Sequence, residues 1–96
     1  MSPTNKKKLD LLRVKLDTLD GNLLKLIKKR SNLVNEVLKV KIYKKEIIDP
    51  KRINLILKKI KKKSIKLNID PKITNRIWKN MIWSFIDYEK RNFKKK

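Results

Sequence analysis

One long apolar stripe constrains the fold of this chain more than any other feature. Apolar residues recur at three- and four-residue spacing from Leu9 to Val40, which is the spacing of one face of an α-helix. Two cations fall on this face. Arg30 stands where the pattern calls for a leucine, and Lys41 follows about three turns later, only about 20° away around the helix. Because buried cations are costly without an anion, the stripe predicts a helix whose inner face holds one.

The length of this helix predicts a partner chain. The pattern indicates a helix from about Lys7 to about Tyr43, interrupted by Gly21 at a cost of about 1 kcal/mol relative to alanine. Such a helix would span roughly 55 Å, too long for a compact monomer of 96 residues. Small chains often complete their burial by oligomerising, so we expect a homodimer.

Two further helices begin at the same dipeptide signal. Asp49-Pro50 and Asp70-Pro71 each read as a helix N-cap followed by proline at the first helical position. Helix 2 is predicted over residues 50–67 and helix 3 over 71–92, with a loop at 44–48. One glycine and three prolines in the whole chain also favour an all-α fold.

Composition sets the class of protein that we expect. The 96 residues predict a single domain over 1–96, with 1–6 and 93–96 frayed. Absence of cysteine and histidine, with only nine acidic residues, disfavours a metal centre or other cofactor. No apolar run suits a signal peptide or a membrane span, so we expect a soluble, cytoplasmic protein without membrane contact.

The net charge of +20 invites a nucleic-acid-binding reading. Lysine, isoleucine and asparagine share A/T-rich codons, however, so genome composition accounts for much of the charge and disfavours a nucleic-acid partner. Arginine is then the more informative cation, since its planar fork grips carboxylates in a way that lysine cannot. The arginines are Arg13, Arg30, Arg52, Arg76 and Arg91.

Three further residues extend the cationic face into a candidate site. Arg52 lies in the first turn of helix 2, where free N–H groups already favour anions. Arg13 lies about 25 Å from Arg30 along a straight helix, so one small ligand can touch both only if Arg13 comes from a second subunit. Glu89, one turn after Phe85 on helix 3, is predicted at the bottom of the site. The chain has no catalytic triad and no phosphate-binding glycine loop.

The pattern resembles the all-helical chorismate mutase family from about Leu9 to Glu89. The stretches that carry the resemblance are LLRVKLDTLDGNLLKLIKKRSNLVNEVLKVK, IIDPKRINLIL and LNIDPKITNRIWKNMIWSFIDYE. Their most specific parts are Leu12 and Arg13 with Asp17 and Asp20, the spacing from Arg30 to Lys41, and Asp49-Pro50 with Arg52.

The resemblance implies a fold and a reaction. Three helices per chain would intertwine into a homodimer that converts chorismate to prephenate, without a cofactor, in phenylalanine and tyrosine biosynthesis. Arg30 and Arg52, with Arg13 of the second subunit, would hold the substrate carboxylates. Lys41 would bond the ether oxygen, and Asp49 would lie near the ring hydroxyl. The predicted substrate-binding residues are Arg13, Arg30, Lys41, Asp49, Arg52, Ile53, Phe85 and Glu89, with Arg30, Lys41 and Glu89 catalytic.

Three positions depart from the best-known family pattern: Ile53 stands where many members have a glutamate, Phe85 where some have a serine and Glu89 where many have a glutamine. A glutamate donates a hydrogen bond only when it is protonated. We therefore expect activity to rise as pH falls, or Glu89→Gln to raise activity near neutrality. Ile53 and Phe85 also resemble the isochorismate pyruvate lyase branch of the same fold, which remains an alternative. A basic helical nucleic-acid-binding protein is another.

Overall fold

The fold is built from helices alone in the part of the chain that the computed structural model describes, residues 2–94. Within these residues there are three α-helices, one short 3₁₀ helix and no strand, which confirms the all-α prediction. Their bounds are α1 Pro3–Val40, the 3₁₀ helix Lys44–Glu46, α2 Pro50–Lys66 and α3 Pro71–Asn92. None of the helices described is both long enough and apolar enough to cross a membrane.

Each α-helix begins with a capping residue followed by proline. The Ser2 hydroxyl accepts from the backbone N–H of Asn5 at 3.1 Å. The Asp49 and Asp70 carboxylates accept from Arg52 at 3.1 Å and from Lys72 at 2.9 Å. These bonds satisfy N–H groups that have no partner inside the first helical turn.

The first helix begins earlier than the sequence pattern predicted. It starts at Pro3 and not at Lys7, because Ser2-Pro3 is a third copy of the cap-and-proline signal. Met1, Lys95 and Lys96, which belong to the ends predicted to fray, lie outside the described residues. For the remaining end residues the fraying stays a prediction.

The first helix also ends earlier than predicted, at Val40 and not at Tyr43. Lys41 therefore lies one residue beyond α1. Its backbone N–H still donates to the Val37 carbonyl at 3.2 Å, so the helical hydrogen bonding continues through Lys41. The backbone of Lys41 therefore keeps the helical register that the sequence prediction assumed.

A tight turn joins α2 to α3. Asn68 adopts a left-handed conformation with φ of 57°, which asparagine tolerates better than most residues. The N–H of Ile69 donates to the Ser64 carbonyl at 2.9 Å, and that of Asn68 to the Ile65 carbonyl at 3.1 Å. This pair of bonds is the Schellman helix ending, which satisfies the last carbonyls of α2.

A buried pair of hydroxyl groups holds α2 against α3. The Ser64 hydroxyl donates to the Ile60 carbonyl at 2.6 Å. Its oxygen lies 2.7 Å from the Thr74 hydroxyl, and both residues are buried. Because the single Ser64 proton is already used, Thr74 acts as the donor between the two. The pair therefore joins the helices without an unsatisfied polar group.

The chain divides into two compact units, one up to Leu33 and one from Val34 onwards. In the first unit, which is helix alone, the leucines from Leu11 to Leu33 are between 54% and 66% exposed, whereas Leu9 is partly buried. In the second unit a small core forms where α2 and α3 pack. Its members are Ile47, Ile82 and Ile86, with Ile53, Ile56, Leu57 and Phe93 packed against them. The single-domain prediction stays a prediction.

Candidate functional site

The side chains of Lys41 and Glu89 form an ion pair inside the second unit. The Lys41 ammonium lies 2.9 Å from Glu89 Oε2, and the two side chains are 18% and 9% exposed. The same ammonium donates weakly to the Ile47 carbonyl at 3.5 Å. An ammonium carries three protons, so one N–H of Lys41 is left to donate to a ligand.

Packing around the pair explains why these two side chains meet. Ile82, Ile86 and Glu89 follow one another on α3 at spacings of four and then three residues. Glu89 therefore shares the buried face of the two isoleucines. Ile47, only 3% exposed, anchors the loop after α1 to the same core. That anchored loop turns its carbonyl toward Lys41 and fixes the approach of the ammonium.

Asp49 and Arg52 meet at the beginning of α2. The Asp49 carboxylate caps the helix through the Arg52 backbone N–H, and both residues are exposed. The capping bond uses the main chain of Arg52 and leaves its guanidinium available at a helix N-terminus. Free N–H groups and the helix dipole favour anions there.

Ile53 and Phe85 contribute apolar surface. Ile53 is partly buried against the Ile47–Ile82–Ile86 core, and Phe85 on α3 is also partly buried. Neither side chain can donate or accept a conventional hydrogen bond. Among the predicted substrate-binding residues of this unit, only Lys41, Asp49, Arg52 and Glu89 therefore have polar side chains.

Arg13 and Arg30 belong to the first unit. Arg13 is exposed and Arg30 is partly buried. Both lie on one continuous helix, α1, so a separation of about 25 Å follows from the helical rise. The prediction that Arg13 of a second subunit joins Arg30 stays a prediction.

Comparison with known proteins adds an independent observation. The family model for type II chorismate mutases matches residues 12–90. This chain belongs to that family. The match spans every predicted site residue of this chorismate mutase family member, from Arg13 to Glu89. Comparisons with curated proteins and with solved structures returned no match.

No group of acidic, histidine or cysteine side chains in residues 2–94 could hold a metal ion. The predicted site residues of this chorismate mutase family member comprise cations, one buried carboxylate, one exposed carboxylate and two apolar side chains. Sequence reasoning missed one contributor to the site, the Ile47 carbonyl. The signal was present, because two isoleucines, Ile47 and Ile48, follow three charged residues in the predicted loop 44–48 and indicate an anchor to the core.

Proposed function

We propose that this protein is a chorismate mutase, which converts chorismate to prephenate by an intramolecular Claisen rearrangement. In that reaction one C–O bond breaks while one C–C bond forms in the same molecule, and no proton or external electron is transferred. The reaction needs the dianion to be folded into its reactive conformer. It also needs stabilisation of the negative charge that grows on the ether oxygen.

The ion pair of Lys41 and Glu89, in a chain of this family, is the observation that carries the proposal. A carboxylate at 2.9 Å and a carbonyl at 3.5 Å hold the Lys41 ammonium in place before substrate arrives. Its third N–H then donates to the ether oxygen as the C–O bond lengthens. A preorganised donor of this kind stabilises the transition state more than the ground state.

The remaining charges bind the two carboxylates of the substrate. We assign Arg52, at the beginning of α2, to one of them and Arg30 to the other, with Asp49 near the ring hydroxyl. The planar guanidinium can hold a carboxylate with two parallel bonds, which fixes its orientation. Ile53 and Phe85 supply apolar contact with the ring and exclude water.

A second copy of the chain completes the proposed site. Most of the apolar stripe of α1 is exposed in the first unit, with Leu19 at 62% and Leu26 at 60%. Exposed apolar surface on this scale marks an interaction site. We infer a homodimer in which the partner covers this stripe and brings its own Arg13 to the carboxylates.

The residue types of the chain suit this chemistry. Without histidine or cysteine, the chain is poorly equipped for proton shuttling near neutral pH or for attack by a thiolate. A pericyclic rearrangement requires neither. What it requires is fixed positive charge, and the chain supplies that.

The decisive experiment is a turnover assay with the purified protein. Loss of the ultraviolet absorbance of chorismate, with prephenate as product, is the expected result. Lys41→Ala and Arg30→Ala are expected to abolish it, whereas Lys8→Ala, an exposed lysine near the beginning of α1, is expected to leave it unchanged. An inactive protein, or equal loss in all three variants, would reject the proposal.

The lyase branch remains the second candidate because Ile53 is apolar and packs against the core, and Phe85 is aromatic. Isochorismate supplied in the same assay separates the two reactions. Salicylate and pyruvate as products would favour the lyase. Salt-dependent retention on DNA or RNA, with no turnover of either compound, would instead favour a nucleic-acid-binding protein.

A further inference from the structure

A pocket lies in the second unit, between the last turns of α1 and the end of α3. Its volume is about 350 Å³, within the range of pockets that bind small molecules. The residues that line it are Asn35, Leu38, Lys39, Tyr88, Asn92, Phe93 and Lys94. None of the predicted substrate-binding residues is among them, so the chorismate reaction leaves this pocket without a role.

Two hydrogen bonds give the pocket a fixed frame. The Tyr88 hydroxyl donates to Asn35 Oδ1 at 2.8 Å, across the two helices. The side-chain amide of Asn92 donates to the Tyr88 carbonyl at 2.8 Å. Phe93 packs against the core of Ile47, Ile82 and Ile86, which restricts the position of its ring. The aromatic wall is therefore positioned before any ligand enters.

The charges of the lining select the ligand. Lys39 and Lys94 bring one cation from each side of the pocket, and no acidic residue lines it. Because Asn35 Oδ1 already accepts from Tyr88, the side-chain amide N–H groups of Asn35 remain as donors. The polar groups thus favour an anion, while Leu38 and the two aromatic rings favour an apolar ring.

We propose that this pocket binds a small ring compound that carries a carboxylate and no positive charge. Phosphate alone would leave the apolar wall unused. A zwitterionic amino acid would place its ammonium among lysines, with no carboxylate in the lining to receive it.

The pocket is distinct from the candidate active site although it uses the same two segments of the chain. Tyr88 precedes Glu89 on α3, and adjacent side chains on a helix point about 100° apart. Lys39 is likewise two positions from Lys41, about 200° around the helix. The pocket lining therefore faces a different direction from the Lys41–Glu89 pair on both segments.

The test is a titration of the 96-residue chain with 3-phenylpropanoate, monitored through its backbone amide resonances in ¹H–¹⁵N NMR. We expect the shifts to centre on Asn35, Leu38 and Phe93. Lys39→Gln combined with Lys94→Gln is expected to weaken binding about tenfold or more, since it removes both charge-assisted contacts. Lys72→Gln combined with Lys79→Gln, the same charge change at exposed positions of α3 outside the pocket, should leave the affinity unchanged.

Two further arms separate this pocket from the active site and test the ligand class. Arg52→Ala removes a cation of the active site and should leave the binding of 3-phenylpropanoate intact. L-Phenylalanine, which adds an ammonium to the same skeleton, should bind about tenfold more weakly. Shifts confined to the surroundings of Arg52, binding unaffected by the Lys39 and Lys94 substitutions, or equal affinity for phenylalanine would each overturn the proposal.

Discussion

The ammonium of Lys41 and the carboxylate of Glu89 lie 2.9 Å apart although 48 positions separate them in the chain. Both side chains are largely removed from water. The carboxylate therefore satisfies the cation in the absence of substrate, and the loop carbonyl of Ile47 assists. In the proposed mechanism this pair keeps the donor in position for the ether oxygen.

Breaking this pair from one side should destabilise the fold. Lys41→Met keeps most of the length of the side chain but leaves the Glu89 carboxylate buried without its ammonium partner. Removal of one partner from a buried pair costs about 3 kcal/mol or more in free energy of unfolding. Urea denaturation at constant protein concentration measures this loss.

Two comparisons make that measurement specific. The double variant Lys41→Met, Glu89→Leu, which buries no charge, should recover most of the lost free energy. Arg91→Met, which breaks the exposed pair of Arg91 with Asp87, should cost less than about 1 kcal/mol because solvent screens that pair. Equal losses of unfolding free energy in Lys41→Met and Arg91→Met would show that the Lys41–Glu89 pair stabilises the fold no more than an exposed ion pair does.

A glutamine at position 89 should raise mutase activity near neutral pH. Ionised Glu89 can only accept, and it accepts from Lys41. The amide of glutamine can accept from Lys41 through its oxygen and donate to the ether oxygen through its nitrogen. One added hydrogen bond to the developing charge corresponds to a rate gain of roughly tenfold.

The control is the fold of the variant, checked by circular dichroism. A Glu89→Gln variant that folds as the unaltered protein does but is less active would contradict this expectation.

Local signals in the sequence were sufficient to predict where α2 and α3 begin. Asp49-Pro50 and Asp70-Pro71 act through bonds to their own first turn, so no distant residue is needed to interpret them. Ser2-Pro3 carries the same information, and reading it would have placed the beginning of α1 correctly. The end of α1 was harder, because burial of Ile47 against α3 fixes where the loop must begin.

The candidate site was predictable only in part for the same reason. Apolar periodicity placed Arg30 and Lys41 on one face and Glu89 on another, each within its own helical pattern. That Lys41 meets Glu89 depends on the path of the loop through Ile47, which no short-range pattern encodes. The leucines of the first unit are largely exposed. In the proposed dimer a second chain covers them, and a pattern within one helix does not specify that contact.

Gly21→Ala should stabilise α1. Gly21 adopts no positive φ, and a Cβ built on it meets no atom within 4 Å. It is nine positions from Arg30, about 180° around the helix, and so faces away from the proposed dimer stripe. Alanine should therefore raise the free energy of unfolding by about 1 kcal/mol per chain.

Thermal or urea unfolding followed by circular dichroism measures that gain, with activity as the control. Unchanged kcat would show that the substitution acts on the helix alone. A loss of stability would mean that another chain approaches Gly21 closely, and this would place the dimer contact on a face other than the leucine stripe.

Mixing two inactive variants should restore activity if each site draws on two chains. Arg13→Ala and Lys41→Ala homodimers would each lack one essential cation at both sites. A heterodimer of the two has one site with both defects and one with none. Random exchange at equal amounts should therefore return about a quarter of the unaltered activity, as twofold symmetry requires.

The mixture is prepared by unfolding and refolding the variants together, and native mass spectrometry reports the fraction of heterodimer. Arg30→Ala mixed with Lys41→Ala is the matched control. Both of those residues are assigned to the same chain at each site, so every heterodimer site lacks one of them and no activity should return. Heterodimers of Arg13→Ala with Lys41→Ala that stay inactive would refute the assignment of Arg13 to the partner subunit, whatever the fate of the reaction itself.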